Sequence, residues 1–127
     1  MQTGQNSLRV LLVEDREDDA ELVRLALREA NFAAALQRVD TRADIEACLR
    51  GSPWDLILSD HNLPDMDSLD VLQLVGDLGI ATPFVIVSGS ITDAQAQEAL
   101  RRGARDFIHK NALGRLIPVI RRELARV

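Results

Sequence analysis

The sequence predicts an α/β protein in which a five-stranded parallel sheet is covered by helices on both faces. Three observations predict it. Short apolar runs alternate five times with segments of helical period. The best of these runs, such as LRVLLV, LILS and PFVIVS, are close to continuously apolar, as strands buried on both faces are. Thr, Gly and Pro punctuate the joins where helix caps and strand starts belong. A length of 127 residues fits one domain with a substantial core.

Residues 1–7 (MQTGQNS) are polar and uncharged and read as a loose leader, not a signal peptide. The domain is expected over 8–127. LRVLLV (8–13) is the first strand and ends at Glu14-Asp15. The helix over 16–31 carries acids in its first turn, where they favour the helix dipole, and Leu22, Leu25, Ala26 and Glu29 at helical spacing. AALQRV (34–39) is a second strand, weakened by its alanines. Residues 41–51 form a short helix with Thr41 as cap and Gly51 as stop. LILS (56–59) is the third strand. The helix over 69–79 turns Leu69, Leu72, and Val75 or Leu78 inward. PFVIVS (83–88) is the fourth strand, with Pro83 at its start, where a missing N–H is tolerated. Residues 92–103 form a helix between Thr92 and Gly103, and DFIHK (106–110) is the fifth strand. The last helix presents Leu116, Ile117, Ile120 and Leu124 on one face. Pro118 is comfortable only in a first turn, so the regular helix is expected from near Ile117, after a short turn.

Composition excludes several function classes. A net charge of −5 and 3% aromatics argue against a basic or base-stacking nucleic-acid surface. No apolar run reaches the length of a membrane span. Cys48 is alone, so no internal disulfide forms and no Cys/His spacing suggests zinc. It reads as a small core residue in a protein of a reducing, cytoplasmic compartment.

The candidate chemistry lies at strand ends. In an open parallel sheet, ligands bind beyond the carboxyl ends of the strands. Those ends carry Glu14 and Asp15 (strand one), Asp60 (three), Ser88-Gly89-Ser90 (four) and Lys110 (five). If these strands are neighbours, the groups share one site. Three carboxylates there repel each other, and a hard divalent cation such as magnesium relieves this. Lys110 and the Ser88 hydroxyl suit phosphoryl oxygens, and Gly89 leaves room for close approach. Asp60 is then a metal ligand, a nucleophile forming an acyl phosphate, or both.

On these residues the chain resembles the receiver domain of two-component response regulators, over 8–127. The resemblance rests on LLVED, DLILSDHNLPDMDSLDVL, PFVIVSGS and GARDFIHK in this order and at these intervals. It implies a doubly wound, flavodoxin-like (βα)5 fold of strand order 2-1-3-4-5. It implies Asp60 as phosphoacceptor, Glu14 and Asp15 as the acidic pair for magnesium, and Asn62 as donor of a backbone carbonyl to the metal. Ser88 becomes the switch hydroxyl, Lys110 the family's lysine, and Phe107 the rotating aromatic, here without a hydroxyl. The implied partners are a histidine kinase or a histidine phosphotransfer protein. The face of helix 4, strand 5 and helix 5 is implied for docking or a homodimer, and Arg101, Arg102, Arg115, Arg121, Arg122 and Arg126 near the last two helices read as a solvated run or a basic patch there. Neither nucleic acid nor membrane is contacted directly. HKNALGRLIPVIRREL resembles a subgroup often joined to sensor kinases or signalling enzymes, so 1–127 can be part of a longer protein.

Two departures stand out. Ser68 occupies a position where the family usually has glycine. Asn111 follows Lys110 where the family usually has a proline, commonly in a cis bond. A cis bond before a non-proline residue is costly, so either a trans bond with a shifted loop or a strained exception is expected. His61 reads as a rim residue tuning access to Asp60. Asp18 and Asp19 read as dipole partners, and Asp65 and Asp67 as solvated loop acids. Competing functions are a receiver that docks partners unphosphorylated, an aspartate-nucleophile phosphatase, and a nucleotide-binding flavodoxin-like module. The phosphatase needs a second acid two residues after the nucleophile, where Asn62 stands. The nucleotide module needs a Ser/Thr-rich first loop, where EDREDD stands.

Overall fold

The structure is a computed structural model and describes residues 6–126. Five strands and five α-helices alternate: β1 (Asn6–Val13), α1 (Glu17–Glu29), β2 (Phe32–Val39), α2 (Arg42–Gly51), β3 (Leu56–Ser59), α3 (Ser68–Asp77), β4 (Phe84–Ser88), α4 (Asp93–Arg101), β5 (Asp106–His109) and α5 (Leu116–Leu124). All strand pairs are parallel, in the order β2-β1-β3-β4-β5. The expected fold and strand order are therefore present.

Side chains of a strand alternate between faces, and two cores result. Leu8, Val10 and Leu12 of β1, Leu56 and Leu58 of β3, and Val85 and Val87 of β4 pack under α1 and α5. Leu11, Val13, Ile57, Phe84 and Ile86 pack under α2, α3 and α4. This double burial explains the continuous apolar runs of β3 and β4, in which every residue is buried. β2 lies at an edge and alternates between buried and exposed positions, which its alanines and polar residues tolerate.

Helix boundaries follow capping chemistry. Thr41 accepts a hydrogen bond from the Asp44 N–H at 3.1 Å, and Thr92 forms a reciprocal capping box with Gln95. Asp67, expected on a solvated loop, caps α3 through a second capping box with Asp70, so α3 begins at Ser68. Gly103, just past α4, has φ +114°, a conformation only glycine adopts readily. Gly51 is the last residue of α2 rather than its stop, and Ser52 is the C-cap.

Several expectations need correction. β1 starts at Asn6, so Asn6 and Ser7 of the expected leader are strand; residues 1–5 of that leader lie outside the described residues. β2 also starts two residues early, at Phe32, whose ring fills the α1/α5 core. The buried stripe of α1 is Ala20, Val23 and Leu27, while Leu22 and Leu25 are 50% and 39% exposed. The helix is rotated so that Ala20 and Val23, with Leu27, meet the sheet. On α5 the buried residues are Leu116, Val119, Ile120 and Glu123, and Leu124 is exposed. Cys48 is half-buried at the margin of the second core, and its carbonyl accepts from Trp54 Nε1 at 2.9 Å.

A 3-10 turn, Lys110–Arg115, links β5 to α5, and Pro118 sits in the first turn of α5 as expected. Among the described residues no peptide bond is cis, so Lys110–Asn111 is trans. No described helix is long and apolar enough to cross a membrane.

Candidate functional site

Because β1, β3, β4 and β5 are adjacent in the sheet, their carboxyl ends converge. Asp60 directly follows β3 and is 5% exposed. Its N–H donates to the Val13 carbonyl at 2.9 Å, continuing the ladder beyond the strand and fixing the backbone under the side chain. One carboxylate oxygen, Oδ1, accepts the His61 N–H at 2.6 Å, and the other, Oδ2, accepts from Lys110 Nζ at 2.8 Å. A buried charge with both oxygens bonded is what a strand end needs to carry a carboxylate.

Glu14 follows β1 in the same way. Its carboxyl is 3% exposed, accepts the Arg16 N–H at 3.2 Å, and lies 2.9 Å from Lys110 Nζ. Burial pushes its pKa up to about 7 and the Asp60 charge adds to this, outweighing the Lys110 and Arg16 bonds that oppose it. Asp15 is exposed beside them. Carboxylate oxygens of Glu14, Asp15 and Asp60 lie within 4.8 Å of one another. These are hard oxygen donors, brought together at one end of the sheet with Glu14 and Asp60 buried. The set fits a divalent cation such as magnesium.

Lys110, at the start of the 3-10 turn, crosses to this cluster. Burial works against its charge, but bonds to Asp19, Asp60 and Glu14 more than reverse that, and its pKa is raised. The Asp19 contact is unexpected: Nζ donates to Asp19 Oδ2 at 2.6 Å, the shortest of the three. Asp19, on the first turn of α1, had read as a dipole partner only. No sequence spacing marks this contact, because it joins the first turn of α1 to a lysine 91 positions later.

A cavity of about 310 Å³ opens over the cluster, lined by Asp15, Arg16, Asp60, Asn62, Gly89, Ser90 and Lys110. Asn62 Nδ2 donates to Ser90 Oγ at 2.6 Å across its mouth. Ser88 is fully buried at the end of β4, and its hydroxyl accepts the Ser90 N–H at 3.2 Å, so in this structure it is turned to its own loop. Gly89 lines the cavity, and a Cβ built there would come no closer to the protein than 4.0 Å, to Lys110 Cβ. Phe107 is half-buried on β5 and packs against the α2/α3/α4 core.

His61 corrects a further expectation. It is 4% exposed, not on the rim, and its Nδ1 lies 2.8 Å from Ser68 Oγ. Ser68 is itself fully buried, and its N–H donates to the His61 carbonyl at 3.2 Å. The two residues are thus joined twice, closing the loop that carries Asn62. The serine in place of the family's glycine is the partner of a buried histidine. The trans Lys110–Asn111 bond is accommodated by the 3-10 turn, with the Asn111 N–H donating to His109 Nδ1 at 3.3 Å.

On the α4/β5/α5 side most of the arginines are paired. Arg101 and Arg102 bind Glu98, and Arg105, Arg122 and Arg126 surround the buried Glu123. Arg121 lies over Phe32, 6.0 Å from the ring centroid, beside β2. The sequence run is therefore not one unpaired basic patch.

Comparison with known proteins identifies the family and supports the fold. The rice (Oryza sativa subsp. japonica) two-component response regulator ORR41 is 34% identical over 117 residues, covering 84% of this chain and 86% of that protein. The cell cycle transcriptional regulator CtrA of Caulobacter vibrioides is 33% identical over 120 residues, covering 91% of this chain but only 51% of the regulator, so the chain spans about half of that relative. A response regulator from Hahella chejuensis superposes with a TM-score of 0.80 at 28% identity, covering 93% of this chain and 96% of that one. The phosphorylated cyanobacterial phytochrome response regulator RcpA superposes with a TM-score of 0.74 at 28% identity, covering 90% of this chain and 89% of that one. With the sequence model of the response regulator receiver domain matching residues 10–121, the chain belongs to the receiver-domain family of two-component response regulators.

Proposed function

We propose that the chain is a phosphorylation-controlled switch whose acceptor is Asp60. The observation that carries this reading is a buried carboxylate at the end of β3, bonded to Lys110 and grouped with Glu14 and Asp15. A carboxylate oxygen of Asp60 attacks the phosphorus of a phosphohistidine. The O–P bond forms as the P–N bond breaks, and the imidazole leaves with the bonding pair. Glu14, Asp15 and Asp60, with the backbone carbonyl of Asn62, would hold a magnesium ion, which would supply charge screening for in-line transfer. Lys110 is a fixed positive charge for the phosphoryl oxygens. The chain is no enzyme beyond this self-catalysed transfer and the later loss of its own phosphoryl group.

The switch follows from one exchange. Ser88 Oγ gives up the Ser90 N–H and donates to a phosphoryl oxygen, which shifts β4 toward the site. Phe107, on the neighbouring strand and without a hydroxyl, follows by packing alone. The equilibrium so biased is read on the α4/β5/α5 face. The donor is a histidine kinase or a histidine phosphotransfer protein. An apolar groove between α1 and the 3-10 turn and α5, lined by Leu22, Leu25, Leu113 and Ile117, suits a helical donor.

A nuclear magnetic resonance titration with beryllium fluoride and magnesium tests this. The expected result is a saturable set of shifts at residues 60–62, 88–90 and 107, extending to α4 and α5 and absent in Asp60→Asn. A spectrum unchanged by beryllium fluoride would exclude the reading.

A further inference from the structure

We infer that Asp19 is a positioning residue of the phosphoryl-transfer site, the carboxylate that keeps Lys110 over the pocket while its other partners are taken up by the reaction. The inference rests on the assignment of Asp60 as acceptor. An ammonium has three N–H donors. In this structure the ammonium donates to Asp19 at 2.6 Å and to Asp60 at 2.8 Å and forms an ion pair with Glu14 at 2.9 Å. Lys110 is therefore surrounded by three carboxylates before any phosphoryl group arrives.

The reaction disturbs two of these bonds. Asp60 forms its new bond to phosphorus through one of its two oxygens and becomes a mixed anhydride, a weaker acceptor than a carboxylate. Glu14 belongs to the oxygen cluster that suits a cation, and a cation there competes with Lys110 for its charge. Asp19 belongs to neither group. It comes from a different element, the first turn of α1, and its side chain is 22% exposed, outside the buried cluster.

Without Asp19, a lysine released by Asp60 and Glu14 is free to swing to solvent on its flexible stem. With it, one N–H stays anchored and the others are free to turn to phosphoryl oxygens. Arg16 Nε also approaches Asp19 Oδ2, at 3.3 Å, from a largely exposed position. This exposed pair places a second cation on the same Asp19 oxygen that Lys110 binds.

The test uses the full chain with acetyl phosphate. Phosphorylation rates at saturating magnesium and donor are measured for wild type, Asp19→Ala, Asp19→Asn and Asp18→Ala, with magnesium affinity measured by calorimetry on each. Asp18 shares the first turn of α1 and its dipole role but has no bond to Lys110, so Asp18→Ala reports any loss of helix stability alone. Asp19→Ala is expected to slow phosphorylation about tenfold, as loss of one charge-assisted hydrogen bond does. Its magnesium affinity stays within about twofold of wild type, well below the effect of losing a ligand. Asp19→Asn, whose carboxamide oxygen still accepts from Nζ, recovers most of the rate, and Asp18→Ala matches wild type. A wild-type rate in Asp19→Ala overturns the inference. So does a slow rate explained by lost magnesium, or an Asp19→Asn as slow as the alanine variant. If wild type itself takes up no phosphoryl group at Asp60, the assignment of the acceptor fails instead.

Discussion

Replacing Glu14 by glutamine should change how stability depends on pH. The Glu14 carboxyl is buried beside Asp60, and its pKa is pushed from 4.5 up to about 7. A rise of that size corresponds to about 3 kcal/mol between the folded and unfolded chains. Because the folded pKa lies above the unfolded one, the unfolded chain gives up its proton first. The favourable contribution of protonated Glu14 is complete below pH 4.5 and is lost as pH rises to about 7. Above that, the metal-free protein carries the full cost of the buried charge. Glutamine fills nearly the same space and has no proton to lose, and its one oxygen keeps one of the two contacts that Oε1 and Oε2 of Glu14 make with Lys110 Nζ and the Arg16 N–H. Urea unfolding in the presence of a chelator, followed by the fluorescence of the single tryptophan, Trp54, measures this directly. The stability of Glu14→Gln relative to wild type should grow by about 3 kcal/mol from acid pH to about pH 8. Magnesium should close the gap by stabilising the wild type. Parallel pH profiles for the two proteins would refute the account of Glu14.

Three further outcomes follow from the same geometry. Magnesium binding near neutral pH should release protons, because a cation takes Glu14 as carboxylate. Calorimetry in buffers of different ionisation enthalpy reads this, and the affinity should weaken as pH falls below about 7. Ser68→Ala should cost about 1–3 kcal/mol in urea unfolding, since it leaves Nδ1 of the buried His61 without its partner; a cost within error would show that the pair is not needed. Leu22→Glu should slow phosphoryl transfer from a histidine-phosphorylated donor protein by about tenfold or more, the effect of losing a strong interface contact, and leave the rate with acetyl phosphate unchanged.

Most of the fold was legible because burial on both faces of a parallel sheet leaves a plain sequence trace. Leu56–Ser59 and Phe84–Ser88 are such traces, and strand ends then follow from where the first polar side chain stands. Glu14, Asp60 and Lys110 were legible for that reason, since each sits at or just past the end of its run. The inward face of α1 is not legible, because Leu22 and Leu25 outweigh Ala20 and Val23 in hydrophobicity and only packing decides which side meets the sheet. Asp19, the Asp67 cap and the His61–Ser68 pair depend on distances between groups that sequence spacing does not supply. Asp19 and Lys110 are 91 positions apart. Ser68 could be seen to be unusual, but its reason lies in a histidine seven residues earlier that folds inward to meet it.

The most direct test of the central claim is intact-protein and peptide mass spectrometry after incubation with acetyl phosphate. The account predicts one phosphoryl group per chain, mapped to Asp60, formed with magnesium, suppressed by a chelator and absent in Asp60→Asn. No adduct, or an adduct of undiminished yield in Asp60→Asn, would contradict it.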